Sequence, residues 1–216
     1  MIENVRKYPS ATVVGLSLYY TVGVIGLSLE MTRNLFQSLI PFTILLSLYF
    51  LWLFHENPGR RSYMAWLIIF LAGYFVEVLG VNTGVIFGVY EYGNSLGFKL
   101  LETPLIIGAN WLLLIYSCYA LVGIFTRDKW LGALAGSALM VLYDFALEPI
   151  AIKFDMWNWH LAPVPIQNYV AWFLVSFLFF MIFNLFIKKI ENKIAPAVFI
   201  IQFMFFIILN VINYFT

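Results

Sequence analysis

Three carboxylates lie in apolar sequence that has no routine use for charge: Glu77 in FVEVLG, and Asp144 and Glu148 in DFALEP. Asp144 and Glu148 are four residues apart, so on a helix they project from one face. Two like charges held together in a low-dielectric site repel, and one of the pair is expected to keep its proton near neutral pH. A neutral carboxylic acid in an apolar pocket is a Brønsted acid, and an ionised neighbour is a base. The competing structural reading has both acids solvated at an interface or paired with Lys153. Pro149 directly after Glu148 supports it, because proline is expected to kink or end the helix there. Intramembrane acids nevertheless mark functional sites by default, which favours chemistry. For Glu77 the plain alternative is a hydrogen bond to a Ser, Thr or backbone group on a neighbouring helix.

The elements that position these groups are set by composition. Of 216 residues 63% are hydrophobic and 11% charged, against about 25% charged in soluble domains. With a mean hydropathy of +0.91, this predicts an all-α integral membrane protein. Apolar runs of about 20 residues can span a bilayer as helices. Seven can be drawn, at residues 10–29, 36–54, 63–81, 104–125, 130–150, 168–187 and 195–214. They predict a bundle of about seven transmembrane helices, with one membrane domain over 1–216. The breaks are Met31–Asn34, residues 55–61, Asn82–Thr103, Thr126–Lys129, Ala151–Gln167 and Lys188–Lys193. No cleaved signal peptide is expected, since the first run is long enough to span and no A-x-A-like site follows it.

Sidedness follows from Lys and Arg. Nine of them fall at the N-terminus and in even-numbered loops: Arg6, Lys7, Arg60, Arg61, Arg127, Lys129, Lys188, Lys189 and Lys193. Three, Arg33, Lys99 and Lys153, fall on the other side. The N-terminus is therefore expected in the cytoplasm and the C-terminus outside, in the cell (inner) membrane. The third and fifth loops then lie at the outer ends, long and aromatic, beside Glu77 and the Asp144/Glu148 pair. Their tyrosines and tryptophans could form an interfacial belt, or their ring faces could stabilise a cation. Gly80, Gly84 and Gly88 suggest backbone freedom or close approach to a ligand; Gly132 and Gly136 suggest helix packing.

Several classes are excluded. The two histidines, His55 and His160, fall on opposite sides, and Cys118 is alone, so no His- or Cys-based metal site is expected. No nucleotide-binding glycine motif or Ser-His-Asp set occurs, the last helix has no Lys for a Schiff base, and nothing points to nucleic acid. Three outer cations are too few for a metal-bound pyrophosphate.

Two ordered blocks resemble the membrane-integral carotenoid biosynthesis proteins, which include carotenoid 1,2-hydratases and bisanhydrobacterioruberin hydratases. The first runs from Glu77 through Asn82-Thr83-Gly84, Phe87-Gly88, Tyr90 and Tyr92 to Leu96-Gly97 and Pro104. The second has Asp144, Glu148-Pro149, Trp157 and Trp159, then Pro165, Asn168 and Trp172. Val164 and Ala171 stand where the family usually has Gly. The resemblance implies acid-catalysed addition of water to the terminal C1=C2 bond of an acyclic ψ-end group, without a cofactor or metal. The substrate would be a lycopene- or γ-carotene-like carotenoid reached through membrane lipid. A proton-initiated cyclase and a non-catalytic carotenoid-binding protein are the alternatives. Asp144, Glu148 and Glu77 would be catalytic. Asn82, Tyr90 and Tyr92 would hydrogen-bond them, Trp111, Trp157 and Trp159 would face the cation, and Asn168 would bind substrate.

The topology has a direct check. Single cysteines introduced at Asn94 and at Asp128 should be labelled from opposite faces of the membrane. Labelling from one face for both would overturn the assignment.

Overall fold

The computed structural model describes residues 5–56, 58–160 and 163–215. Glu3, Asn57 in the second break, and Leu161 and Ala162 in the fifth lie outside them. The chain folds in the order α1 (Pro9–Ser28), α2 (Glu30–Ser38), α3 (Ile40–Phe54), α4 (Arg60–Thr83), β1 (Tyr90–Tyr92), β2 (Lys99–Leu100), β3 (Thr103–Pro104), α5 (Ile106–Val122), α6 (Lys129–Lys153), β4 (Trp157–Trp159), α7 (Ile166–Phe186) and α8 (Ala195–Phe215). Helices α1, α4, α6, α7 and α8 are long and apolar enough to cross a membrane. The pair α2 and α3, bent by 54°, meets the same length and composition only when taken together, and α5 is a shorter apolar helix. The architecture is an all-α membrane bundle.

Two boundaries differ from the sequence reading. Met31–Asn34 is not a break but part of α2, and the expected helix over 36–54 breaks at Leu39. Pro41 explains the break: it has no N–H to donate to the Gln37 carbonyl. The second difference is that α6 continues through Pro149 to Lys153. Proline is tolerated inside membrane helices when neighbours satisfy the loosened backbone. Here Asn210 of α8 donates to the Ala146 carbonyl at 2.7 Å, beside the gap.

Helix α5 is the hub of the bundle. It packs against α3, α4, α6, α7 and α8, and 11 of its 17 residues are buried. At about 1.5 Å per residue it is roughly 25 Å long, shorter than a bilayer core. A central helix screened by its neighbours can be short, because they meet the lipid instead. Close packing replaces the hydrophobic effect as the cohesive force between such helices. A Cβ on Gly73 of α4 would fall 2.5 Å from the Cβ of Trp111, and one on Gly136 of α6 would fall 2.7 Å from the Phe180 ring. Gly132 meets nothing closer than 3.8 Å, so of that pair only Gly136 is a packing glycine.

The two ends of the bundle differ in chemistry. At the basic end Arg6 donates to the carbonyls of Leu53 and His55. Asn192 donates to Leu51 O at 2.8 Å and to Tyr116 at 3.0 Å, and His55 shares a 2.6 Å bond with the same Tyr116 hydroxyl. At the other end the third and fifth loops fold against each other. Strands β1 and β4 pair antiparallel, with Tyr90 opposite Trp159 and Tyr92 opposite Trp157. Gly93 N–H donates to Met156 O at 2.9 Å, and Asn94 N–H to Asp155 Oδ2 at 3.0 Å. Gly84 caps α4 in the left-handed region at φ 66°, its N–H bonded to Gly80 O at 2.8 Å. Gly88, at φ 112°, lets the loop pass Pro165, whose Cγ a Cβ there would approach to 2.9 Å. The glycine therefore serves close approach of protein to protein.

Replacing Gly84 by Ala forces a Cβ into the left-handed region, at about 1–2 kcal/mol. Thermal unfolding in detergent should show that loss. An unchanged transition would mean the cap does not hold the loop.

Candidate active site

Glu77 lies on α4 nearly two turns before the Gly84 cap, and is buried at 6% exposure. Its carboxyl receives three donors. The hydroxyls of Tyr90 and Tyr92 reach Oε2 at 2.6 and 2.7 Å, and the Trp111 indole N–H reaches Oε1 at 2.9 Å. The tyrosines do this because alternate residues of a strand face one way. Tyr90 and Tyr92 point inward, while Glu91 between them faces out beside His160. Burial first, and then the Glu77 charge, hold both phenols well above their ordinary pKa, so they remain donors.

Strand β4 repeats the arrangement for Glu148. Trp157 and Trp159, again two apart, donate their indole N–H groups to Glu148 Oε2 at 3.1 and 2.8 Å. Pairing of β1 with β4 brings the two sets together, with ring centroids 5.1 Å apart for Tyr90–Trp159 and 6.2 Å for Tyr92–Trp157. Asn168, in the first turn of α7, joins the α6 acids. Its amide donates to Asp144 Oδ2 at 2.7 Å and to Glu148 Oε1 at 3.2 Å. Asp144 is fully buried, and its Oδ1 has no hydrogen-bond partner. The reading in which these acids are solvated or paired with Lys153 is overturned: both are buried, and Lys153 binds Asn213 instead. Among the described residues the ion pairs are His160–Glu91 and Lys189–Glu191, so no cation neutralises Glu77, Asp144 or Glu148 by direct contact.

The donors surround a cavity of about 30 Å³. Glu77, Glu148, Tyr90, Tyr92, Trp111, Trp157, Trp159 and Asn168 all line it. Both loops and Trp111 thus border one space. Asp144 does not border it and sits behind Glu148 and Asn168.

Asn82 is a correction. It was expected to hydrogen-bond the carboxylates, but its amide donates to Val78 O at 2.8 Å and Leu101 O at 3.1 Å. Five residues past Glu77, at 3.6 per turn, it lies about 140° around the helix. It anchors the β2–β3 turn from outside the site. Sequence reasoning also missed lining residues. Trp172, stacked on Trp111 at 4.5 Å, carried a signal in the second block but reads equally as a belt residue. Asn110 also borders the cavity, and its position next to Trp111 in a helix gave no sign of that.

Asn168→Leu would leave two buried carboxyl oxygens without their donor. An unmade buried hydrogen bond costs about 1–3 kcal/mol, more for charged groups. The variant should unfold at lower temperature than wild type in detergent. Equal stability would show that the bridge is not formed.

No solved structure matches the chain. It is 29% identical over 133 residues to the bisanhydrobacterioruberin hydratase of Haloarcula japonica. The match covers 58% of this chain and 45% of that relative's length. The profile of the carotenoid biosynthesis protein family covers residues 36–216, which takes in every carboxylate, phenol and indole of the site. The chain belongs to the carotenoid biosynthesis protein family.

Proposed function

We propose that the protein is a carotenoid 1,2-hydratase, which adds water across the terminal C1=C2 bond of an acyclic ψ-end group by acid–base catalysis alone. The observation that carries this reading is the small polar cavity between Glu77 and Glu148. At about 30 Å³ it has room for one or two waters with several hydrogen-bonding partners. A cyclase would need water kept out of the same place. The named activity of the haloarchaeal relative supports the reading.

The hydrogen bonds assign roles. Asn168 occupies Asp144 Oδ2 and Glu148 Oε1, and two indoles occupy Glu148 Oε2. Asp144 Oδ1 is the carboxyl oxygen of the pair that no donor faces, so the shared proton rests there. A bare carboxylate oxygen in that position would be costly. Glu148, which borders the cavity, receives the proton from Asp144 and passes it to C2 of the alkene. The π electrons form the new C–H bond and leave a tertiary cation at C1. Tryptophan faces stabilise such a cation. Water oxygen bonds to C1, and Glu77 takes the proton it loses. Glu77 suits the base because it borders the cavity from the side opposite Glu148 and is held in place by Tyr90, Tyr92 and Trp111. That proton returns from Glu77 to the Asp144/Glu148 pair through water in the cavity, so the enzyme is restored and the net reaction is addition of water. The polyene enters from lipid, and the positive-inside distribution supports a site at the outer end of the bundle, with the N-terminus cytoplasmic.

Glu148→Gln, Asp144→Asn and Glu77→Gln should each reduce hydration of lycopene by about 10²–10⁴-fold while the protein still elutes as a folded species. Wild-type product should gain the mass of one water, and in D₂O carry one deuterium at C2. A product of unchanged mass with shifted absorption would mean cyclisation. Near-normal turnover in both Asp144→Asn and Glu148→Gln would make the pair structural.

A further inference from the structure

A second cavity of about 120 Å³ adjoins the polar one. Its lining is mainly apolar and comes from α1, the α2–α3 bend, α5, α6, α8 and the fifth loop, with Gly23, Leu27, Ile44, Leu147 and Phe205 among its walls. Ile107, Asn110 and Trp157 border both cavities and form the partition between them. Phe36, Leu39 and Ile40, at spacings of three and four, line it from one face across the bend. Away from the partition, Tyr20 closes it by bonds of 2.9 Å to Ser47 and 2.9 Å to Gln202. Tyr19 and Val22, at 38% and 54% exposure, mark a side that opens between α1 and α3 on the lipid-facing surface. The Tyr19 hydroxyl spans that gap to Thr43 at 3.0 Å.

Building on the substrate class proposed above, we infer that this chamber is the berth for the terminal isoprenoid unit of a long acyclic polyene, entered from lipid between α1 and α3. Size supports one end unit and no more. An apolar cavity of about 150 Å³ takes up a six-carbon ring, so 120 Å³ suits a branched five-carbon end. The remaining chain stays in the bilayer, which solvates it at no cost. Position supports it too. An end group in the chamber puts its terminal alkene against Ile107, Asn110 and Trp157, with Glu148 across the partition. Trp157 shows its indole N–H to Glu148 and its ring to the chamber. Asn110 is half-buried, and its side chain has no hydrogen-bond partner among the described residues. An amide free at the boundary of a polar and an apolar space can hold water at the face of the alkene.

The test separates binding from chemistry by measuring lycopene retained per protein, from visible absorption after size-exclusion in detergent, alongside turnover. Gly23→Phe aims a ring into the chamber from α1, since a Cβ there already stands 3.3 Å from Phe205. Val22→Trp narrows the entrance at an exposed position where folding is not at stake. Both should lower retained lycopene at least tenfold, whatever product the wild type makes. Glu148→Gln should retain as much as wild type and turn over none. Loss of turnover in Glu148→Gln alone bears on the proposed reaction, and loss of retention bears on the berth. If Gly23→Phe fails to elute as a folded species, Val22→Trp decides. Retention within twofold of wild type in either folded variant, or none by the wild type, would overturn the berth.

Discussion

The constraint on which the structure rests is that three carboxyl groups are held inside a lipid-soluble bundle with no cation bound to them. Carboxylates that shed their water need replacement donors, or they cost several kcal/mol each. This chain supplies donors that are themselves largely apolar. Indole N–H groups and phenol hydroxyls put one polar atom on the carboxylate and a ring against the surrounding helices. Glu77 and Glu148 are each met this way, by Tyr90, Tyr92 and Trp111 and by Trp157 and Trp159. Lysine or arginine in those places would neutralise the acids and fix them as ion pairs. Aromatic donors leave their proton affinity available for use.

The same constraint explains the loops. A donor on a strand must come with a backbone whose own polar groups are satisfied, because unpaired amides are not tolerated at membrane depth. The β1–β4 pair solves both problems. The ladder satisfies the backbone, and its two-residue period aims Tyr90 and Tyr92, and likewise Trp157 and Trp159, at the carboxyls. Gly84 and Gly88 provide the turns that bring β1 back over α4, and the pairing extends to Met156 through the amide of Gly93 and to Asp155 through that of Asn94. The loops are thus the inner wall of the site and not its covering.

Much of this was legible in the sequence. Hydropathy located most of the spans, and the spacing of four placed Asp144 with Glu148; the two-residue period of Tyr90/Tyr92 and of Trp157/Trp159 acquires its meaning only from the pairing of two loops distant in sequence. What failed did so for identifiable reasons. Asn82 was grouped with Glu77 by proximity in the chain, though helical phase puts it on another face. Pro149 reads as a stop, yet the rule assumes water will compete for the loosened backbone, and inside the bundle a neighbouring helix bonds the Ala146 carbonyl beside the gap. Pro41 carried the opposite lesson: it does break its helix, and the run of apolar residues around it hid the break. Trp111 reaching Glu77 from α5, and Asn110 beside it, depend on how two helices rotate against each other. No periodicity within one segment encodes that.

Those two adjacent residues show how the hub helix organises the site. On α5 consecutive positions lie about 100° apart, so Trp111 and Asn110 cannot face the same neighbour. Trp111 turns to α4 and α7, where it bonds Glu77 and stacks on Trp172. Asn110 turns toward the space that α1, α3 and α8 enclose, and so does Ile107, three residues and nearly one turn earlier. A central helix with one face on the carboxyls and the next on an apolar chamber divides polar from apolar space along its own axis. That division needs no mobile lid. It keeps the water-sized cavity from opening directly to lipid, and it sets an apolar end group at the edge of the space that the acid borders.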